Sequence, residues 1–232
     1  MQSLLAAECV YCGSRENLTR DHVPGRGLFS PPLPSDLLTV PCCLRHNQEY
    51  AREDEYFRLV VSSRQESAGH PEAARASGKS FENLLRPESA GLERAFRESL
   101  LEPSATAKAT ESDGLQAVAM VDFLRLNRYA ERIITALFAH HSGKRLSRSS
   151  EVRAFVLDCL DLTKPLNRKI YAGMARILER VPEHSSPRDI LRYKFSDLSR
   201  AGGESVWNLV FFESTEFIGS IKVRPGEGKG DS

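Results

Sequence analysis

An α+β fold is what this chain of 232 residues predicts, and three observations predict it. Two metal-ligand pairs, Cys9/Cys12 and Cys43/His46, mark out a compact N-terminal unit. Apolar residues then recur at helical spacing through the middle of the chain. Two β-rich runs, 206–212 and 217–223, follow as an antiparallel hairpin joined at 213–216. The expected organisation is a zinc-stapled finger over 1–62, a helical connector and linker over 63–115, and an α+β domain over 116–224 that is mainly helical up to its hairpin, with a disordered tail over 225–232.

The finger comes first. Residues 1–8 read as a short lead-in. Cys9-Val10-Tyr11-Cys12 is a knuckle, in which two thiolates three positions apart on a tight turn reach one ion with little strain, and Gly13 permits the left-handed backbone such turns need. Cys43-Leu44-Arg45-His46 repeats that separation. Together the pairs supply the four ligands of a closed tetrahedral Zn²⁺ site, which is structural because no position is left for water. Cys42 competes as a ligand, but three residues beyond it stands Arg45, which cannot ligate.

Between the knuckles, residues 19–23 form a short strand carrying Asp21 and His22, and 37–40 form a second strand. Pro24, Gly25, Gly27, Pro31, Pro32 and Pro34 make 24–35 an ordered loop, with Arg26 in it as a possible phosphate contact. Asn47 follows the second knuckle directly. Asp21 and Asn47 offer the carboxylate and amide oxygens a hard divalent cation prefers, and a neutral His22 beside that cation could take a proton from water. The zinc deaminase pattern, His-x-Glu followed by Pro-Cys-x-x-Cys, fails here: Pro24 stands where the Glu should be, and Arg45 where the last Cys should be.

Cys-x-x-Cys, Asp21-His22-Val23-Pro24, Asp36-Leu37-Leu38-Thr39-Val40-Pro41 and Cys43-x-x-His46-Asn47 together resemble the HNH endonuclease family in its zinc-knuckle form. The resemblance implies a ββα-metal finger around one catalytic Mg²⁺ or Mn²⁺. It implies Asp21 and Asn47 as ligands of that cation and His22 as general base, hydrolysing phosphodiester bonds of nucleic acid, with DNA favoured over RNA. Asp36 takes the place of the family's middle asparagine, which braces the loop. His46 takes the place of a more frequent fourth cysteine. The run 53–57 is also similar to the helix start of an uncharacterised bacterial branch, and that branch suggests a defence or mobile-element setting with a partner protein. The alternative is a non-catalytic zinc-stapled module that binds nucleic acid or protein.

Beyond the second knuckle, a helix is expected from about 46 to 62, with Tyr50, Phe57 and Val61 at core spacing. Residues 63–102 suggest one or two amphipathic helices broken at Pro87, and 103–114 a linker. The strongest helical pattern runs from 115 to 141, with Val118, Val121, Leu124, Ile133, Ile134, Leu137 and Phe138 on its apolar face and Gly143 as its stop. The adjacent His140 and His141 point about 100° apart on a helix and do not easily share one ion. Further helices are expected over 149–160, with Cys159 in the core, and over 166–180; Lys164, Arg168, Lys169, Arg176 and Arg180, spread along this region, read as a solvated helix face ahead of a nucleic-acid-facing surface. A strand is expected near 193–198, and Trp207 as a core anchor.

Composition bounds the function. At 41% hydrophobic and 27% charged the chain is globular with enough apolar residues for a core, and its apolar runs are too short to span a bilayer. Of the five cysteines, four lie in the first 43 residues; this favours metal binding in a reducing cytoplasm over a disulfide framework. Net charge is +1, and the first sixty residues hold eight acidic residues against six arginines. That counts modestly against tight non-specific binding to DNA and points to affinity supplied from elsewhere in the chain or by a partner.

Overall fold

The computed structural model describes residues 8–101, 118–196, 198 and 204–223. The lead-in apart from Glu8, the whole of the expected linker 103–114, and the tail 225–232 lie outside them. The knuckle turn opens the described chain, closed by Gly13 N–H to Cys9 O (2.8 Å) and Cys9 N–H to Ser14 O (2.8 Å), with Gly13 at φ 79°. Strand β1 (Leu18–His22) pairs antiparallel with β2 (Thr39–Cys43). The chain passes straight from β2 into helix α1 (Leu44–Ser62). Phe57 and Val61 of α1 are buried in the core; Tyr50 is half-buried.

Two short helices follow, α2 (Pro71–Leu84) and α3 (Ala90–Ser99), with the expected break at Pro87. Two-residue strands β3 (Leu100–Leu101) and β4 (Val118–Ala119) pair with each other ahead of helix α4 (Phe123–Ser142). Asp122 caps α4 by accepting from Arg125 N–H (3.2 Å), and Gly143 ends it in the left-handed region at φ 68°. The helix is shorter than its apolar pattern suggests: Val118 and Leu124 are 60% and 68% exposed. Its buried face begins at Leu126.

The region after α4 departs from expectation. Residues 150–156 are not helical; they form strand β5 (Ser150–Val156), an edge of a five-stranded antiparallel sheet in the order β5-β9-β8-β7-β6. The other members are β6 (His184–Ser185), β7 (Leu191–Phe195), β8 (Ser205–Phe211) and β9 (Thr215–Val223), with helix α5 (Pro165–Leu178) preceding β6. The expected hairpin is thus β8–β9, two strands of a larger sheet. Cys159, expected in a helical core, is exposed in a short 3₁₀ turn after β5. Val152, Ala154 and Val156 alternate with charged or exposed residues, and this period of two outweighs the helical reading of the same segment.

Burial explains how the parts meet. Trp207, Leu209 and Phe211 of β8 and Phe217 and Ile221 of β9 point into one core that α1 and α4 share. Phe57 of α1 stacks on Tyr129 of α4 with ring centroids 3.6 Å apart and meets Phe211 edge-on at 4.8 Å. The otherwise open edge of β5 is occupied by α4 side chains: Asn127 Oδ1 accepts from Val156 N–H (2.9 Å) and Glu131 Oε1 from Ala154 N–H (3.3 Å). No helix among the described residues is long and apolar enough to cross a membrane.

Candidate metal centre and active site

Cys9, Cys12, Cys43 and His46 come together as the spacing predicts. Their ligand atoms all lie within 4.8 Å of one another. Cys12 Sγ and Cys43 Sγ are 3.9 Å apart, Cys9 Sγ and His46 Nδ1 3.7 Å, and Cys43 Sγ and His46 Nδ1 3.2 Å. With Zn–S bonds of about 2.3 Å, the edge of a tetrahedron of sulfurs is about 3.8 Å, and edges to nitrogen are somewhat shorter. The four side chains therefore fit a tetrahedral ion, with His46 ligating through Nδ1. Burial pushes the Cys9 thiol up, but backbone N–H groups of Cys43, Cys12 and Tyr11 and the His46 ring outweigh it and bring the thiol to about 6. Burial raises the Cys12 thiol, with Cys9 and Cys43 adding to it. Cys42 stands outside the cluster: it is fully buried, its thiol contacts Cys43 O (3.4 Å), and burial drives its pKa far up.

The strands place the second group of residues. Asp21 pairs with Val40 and His22 with Thr39 across the hairpin. Alternation along β1 puts Thr19 and Asp21 on one face, Arg20 and His22 on the other. Asn47, in the first turns of α1, donates through Nδ2 to Thr19 Oγ1 (3.0 Å), which in turn donates to Cys42 O (2.9 Å). Asp21 and Asn47 are thereby on the same side of the hairpin, the side α1 covers. Because Nδ2 is engaged, the Asn47 carbonyl oxygen is turned away from Thr19.

Asp21 is 5% exposed and accepts a hydrogen bond from Tyr11 Oη to Oδ2 at 2.6 Å. Burial, and then the Asp21 charge, raise the Tyr11 phenol well above its usual value, so it remains the donor. His22 ends β1 half-buried. Burial lowers its pKa, the Arg26 charge lowers it further, and Asp21 opposes both without reversing them. Arg26 is exposed in a 3₁₀ turn (Arg26–Leu28) that follows the strand. Asp36, in the position resembling the loop brace, is exposed in the turn that precedes β2.

The loop that presents Arg26 is gripped from below by residues the sequence did not single out. Gly25 N–H donates to Tyr129 Oη of α4 (3.2 Å). A Cβ on Gly25 would stand 3.1 Å from Asp54 Oδ2, and one on Gly27 3.0 Å from Arg58 Nη1. Asp54 pairs with Arg132 of α4, whose side chain is 4% exposed and lies over the rings of Tyr50 (4.6 Å) and Tyr129 (4.7 Å). The nearby charges of Asp54 and Asp21 offset the cost of burying that guanidinium. Burial raises the Asp54 carboxyl, and Arg132 partly reverses it. The only available signal for Arg132 was a charged residue on the apolar face of the strongest helix. For Tyr11 it was a hydroxyl held inside a metal knuckle.

Asp21 keeps one carboxylate oxygen outside the Tyr11 bond and Asn47 its side-chain oxygen outside the Thr19 bond, each a hard donor of the kind divalent cations take. No family model, curated protein or solved structure matches this chain.

Proposed function

We propose that the protein is a metal-dependent nuclease of the HNH type, with DNA its preferred substrate. The observation that carries the reading is one arrangement: a hairpin and helix joined at a Cys₃His cluster, with Asp21 and Asn47 on the helix side of the hairpin and His22 following Asp21 at the end of the same strand.

In this reading Zn²⁺ at Cys9, Cys12, Cys43 and His46 is structural and fixes the start of the helix against the hairpin. Asp21 and Asn47 would hold a single Mg²⁺ or Mn²⁺, which supplies charge stabilisation at the phosphate when bound. The residues of the chain do the rest. His22, with its pKa held down by burial and by Arg26, is ready to accept a proton from the attacking water. Arg26, exposed on the clamped loop, is placed to pair with a backbone phosphate of the substrate. Asp54 and Tyr129 hold that loop so that little ordering is needed on binding.

Cleavage of duplex DNA, single-stranded DNA and RNA, each with Mg²⁺, Mn²⁺ or EDTA, tests the proposal. Wild type should cut in Mn²⁺ or Mg²⁺ and not in EDTA. His22→Ala should keep its zinc and its melting temperature and lose roughly 10²–10⁴-fold in rate. Unchanged cleavage by a clean preparation of His22→Ala removes the assignment. The deep burial of Asp21 favours a second reading, a zinc-stapled binding module without catalysis. In that case metal titration detects zinc alone.

A further inference from the structure

Tyr11 is the residue in the finger whose chemistry the nuclease reading leaves unused. It lies between the two cysteines of the first knuckle, so its backbone is fixed wherever the metal fixes Cys9 and Cys12. Its ring packs against His46, the fourth ligand, at 5.8 Å and edge-on against Tyr50 of α1 at 5.0 Å, two rings that themselves stack 5.5 Å apart. Arg132 lies over the Tyr50 ring. With the ring buttressed by these two neighbours, its hydroxyl donates to Asp21 Oδ2 at 2.6 Å.

We infer that Tyr11 is a positioning residue for the cation site: through its hydroxyl the zinc knuckle orients the Asp21 carboxylate, so the structural metal and the proposed second metal are coupled by one hydrogen bond. This rests on the proposed role of Asp21. The physical reason is that a monodentate carboxylate ligand has a free torsion about Cβ–Cγ. Pinning one oxygen leaves the other aimed, and the cation does not have to order it. Partners that hydrogen-bond a metal-ligating group typically contribute about 10–100-fold to metal affinity. The Tyr11 ring serves packing and the hydroxyl serves orientation, so the two roles separate cleanly in Tyr11→Phe.

The test is Mn²⁺ binding to the zinc-loaded protein, read by the free-Mn²⁺ electron paramagnetic resonance signal, for wild type, Tyr11→Phe and Asp21→Asn. Zinc content, melting temperature and the Mn²⁺ concentration giving half-maximal cleavage are followed in parallel. Wild type should bind one Mn²⁺ and Asp21→Asn should lose it. Tyr11→Phe should bind with a dissociation constant raised roughly 10–100-fold, with zinc content unchanged and maximal cleavage recovered at high Mn²⁺. A Tyr11→Phe protein with wild-type Mn²⁺ affinity overturns the inference alone. If Asp21→Asn and wild type bind Mn²⁺ equally, the cation site itself is wrong and the inference goes with it. If the binding pattern holds but no substrate is cut, the nuclease reading falls and the coupling between the two sites stands.

Discussion

Glu72 shows what a single buried carboxylate does for the loop that carries Arg26. Its side chain is 7% exposed and accepts from Ser30 N–H (2.8 Å), Ser30 Oγ (2.7 Å), Arg75 and Arg188. Burial raises its pKa, but the Ser30 bonds and Arg188 outweigh it and hold the carboxyl below its ordinary value. A carboxyl with a depressed folded-state pKa contributes stability that is complete above its unfolded value of 4.5 and is lost as pH falls through the folded one. Glu72→Gln should therefore lower stability by about 1–3 kcal/mol at pH 7, and denaturant titrations should show the difference from wild type vanishing in acid. At this scale the sequence was legible where spacing carries chemistry. Cys9, Cys12, Cys43 and His46 could be paired from their separations, and Cys42 set aside from Arg45. Tyr11, Asp54, Glu72 and Arg132 were not legible, because each takes its meaning from a partner distant in the chain: Arg132 meets Asp54 and Glu72 meets Arg188.

Among the elements, α4 and β9 are in closest approach at Gly219. A Cβ there would come within 2.4 Å of Ile134 Cδ1 and 2.9 Å of the Arg153 carbonyl oxygen. The backbone contact cannot relax by a rotamer change, so Gly219→Ala should cost about 1–3 kcal/mol, measured as a lowered urea midpoint with unchanged slope. The same neighbourhood explains the longest element that sequence reading assigned to the wrong class. Residues 150–156 hold Val152, Ala154, Phe155 and Val156, an apolar content compatible with a short helix. What decides their state is the seven-residue register with β9, from Ser150 opposite Val223 to Val156 opposite Phe217, together with the Asn127 and Glu131 side chains on the other edge. Those partners lie far along the chain, and the short period of two at Val152, Ala154 and Val156 becomes decisive only with them in place. The β8–β9 hairpin, with local pairing and strict alternation at Trp207, Leu209 and Phe211, was readable for the opposite reason.

For the whole molecule, the finger and the sheet are joined by side chains from α4. Tyr129 holds Gly25, Arg132 pairs with Asp54, and Phe57 lies against Tyr129. A metal ion held by Cys9, Cys12, Cys43 and His46 would therefore clamp a hairpin whose other side is already anchored. Stripping the metal with a strong chelator should lower the melting temperature, by roughly 2–4 °C for each kcal/mol the ion contributes. Adding back one equivalent of Zn²⁺ should restore it, and Cys43→Ala should melt at the low temperature whether or not zinc is present. A melting curve indifferent to chelation would remove the structural-zinc assignment.

The stacking of Phe57 on Tyr129 has one more consequence. A fragment excised after α1 would turn Phe57, Leu59 and Val61 outward into water and would free the Arg26 loop from its anchor. Transplanting the finger onto another scaffold therefore requires carrying α4 with it, since half of the finger's floor is laid by a helix that the chain does not reach until residue 123.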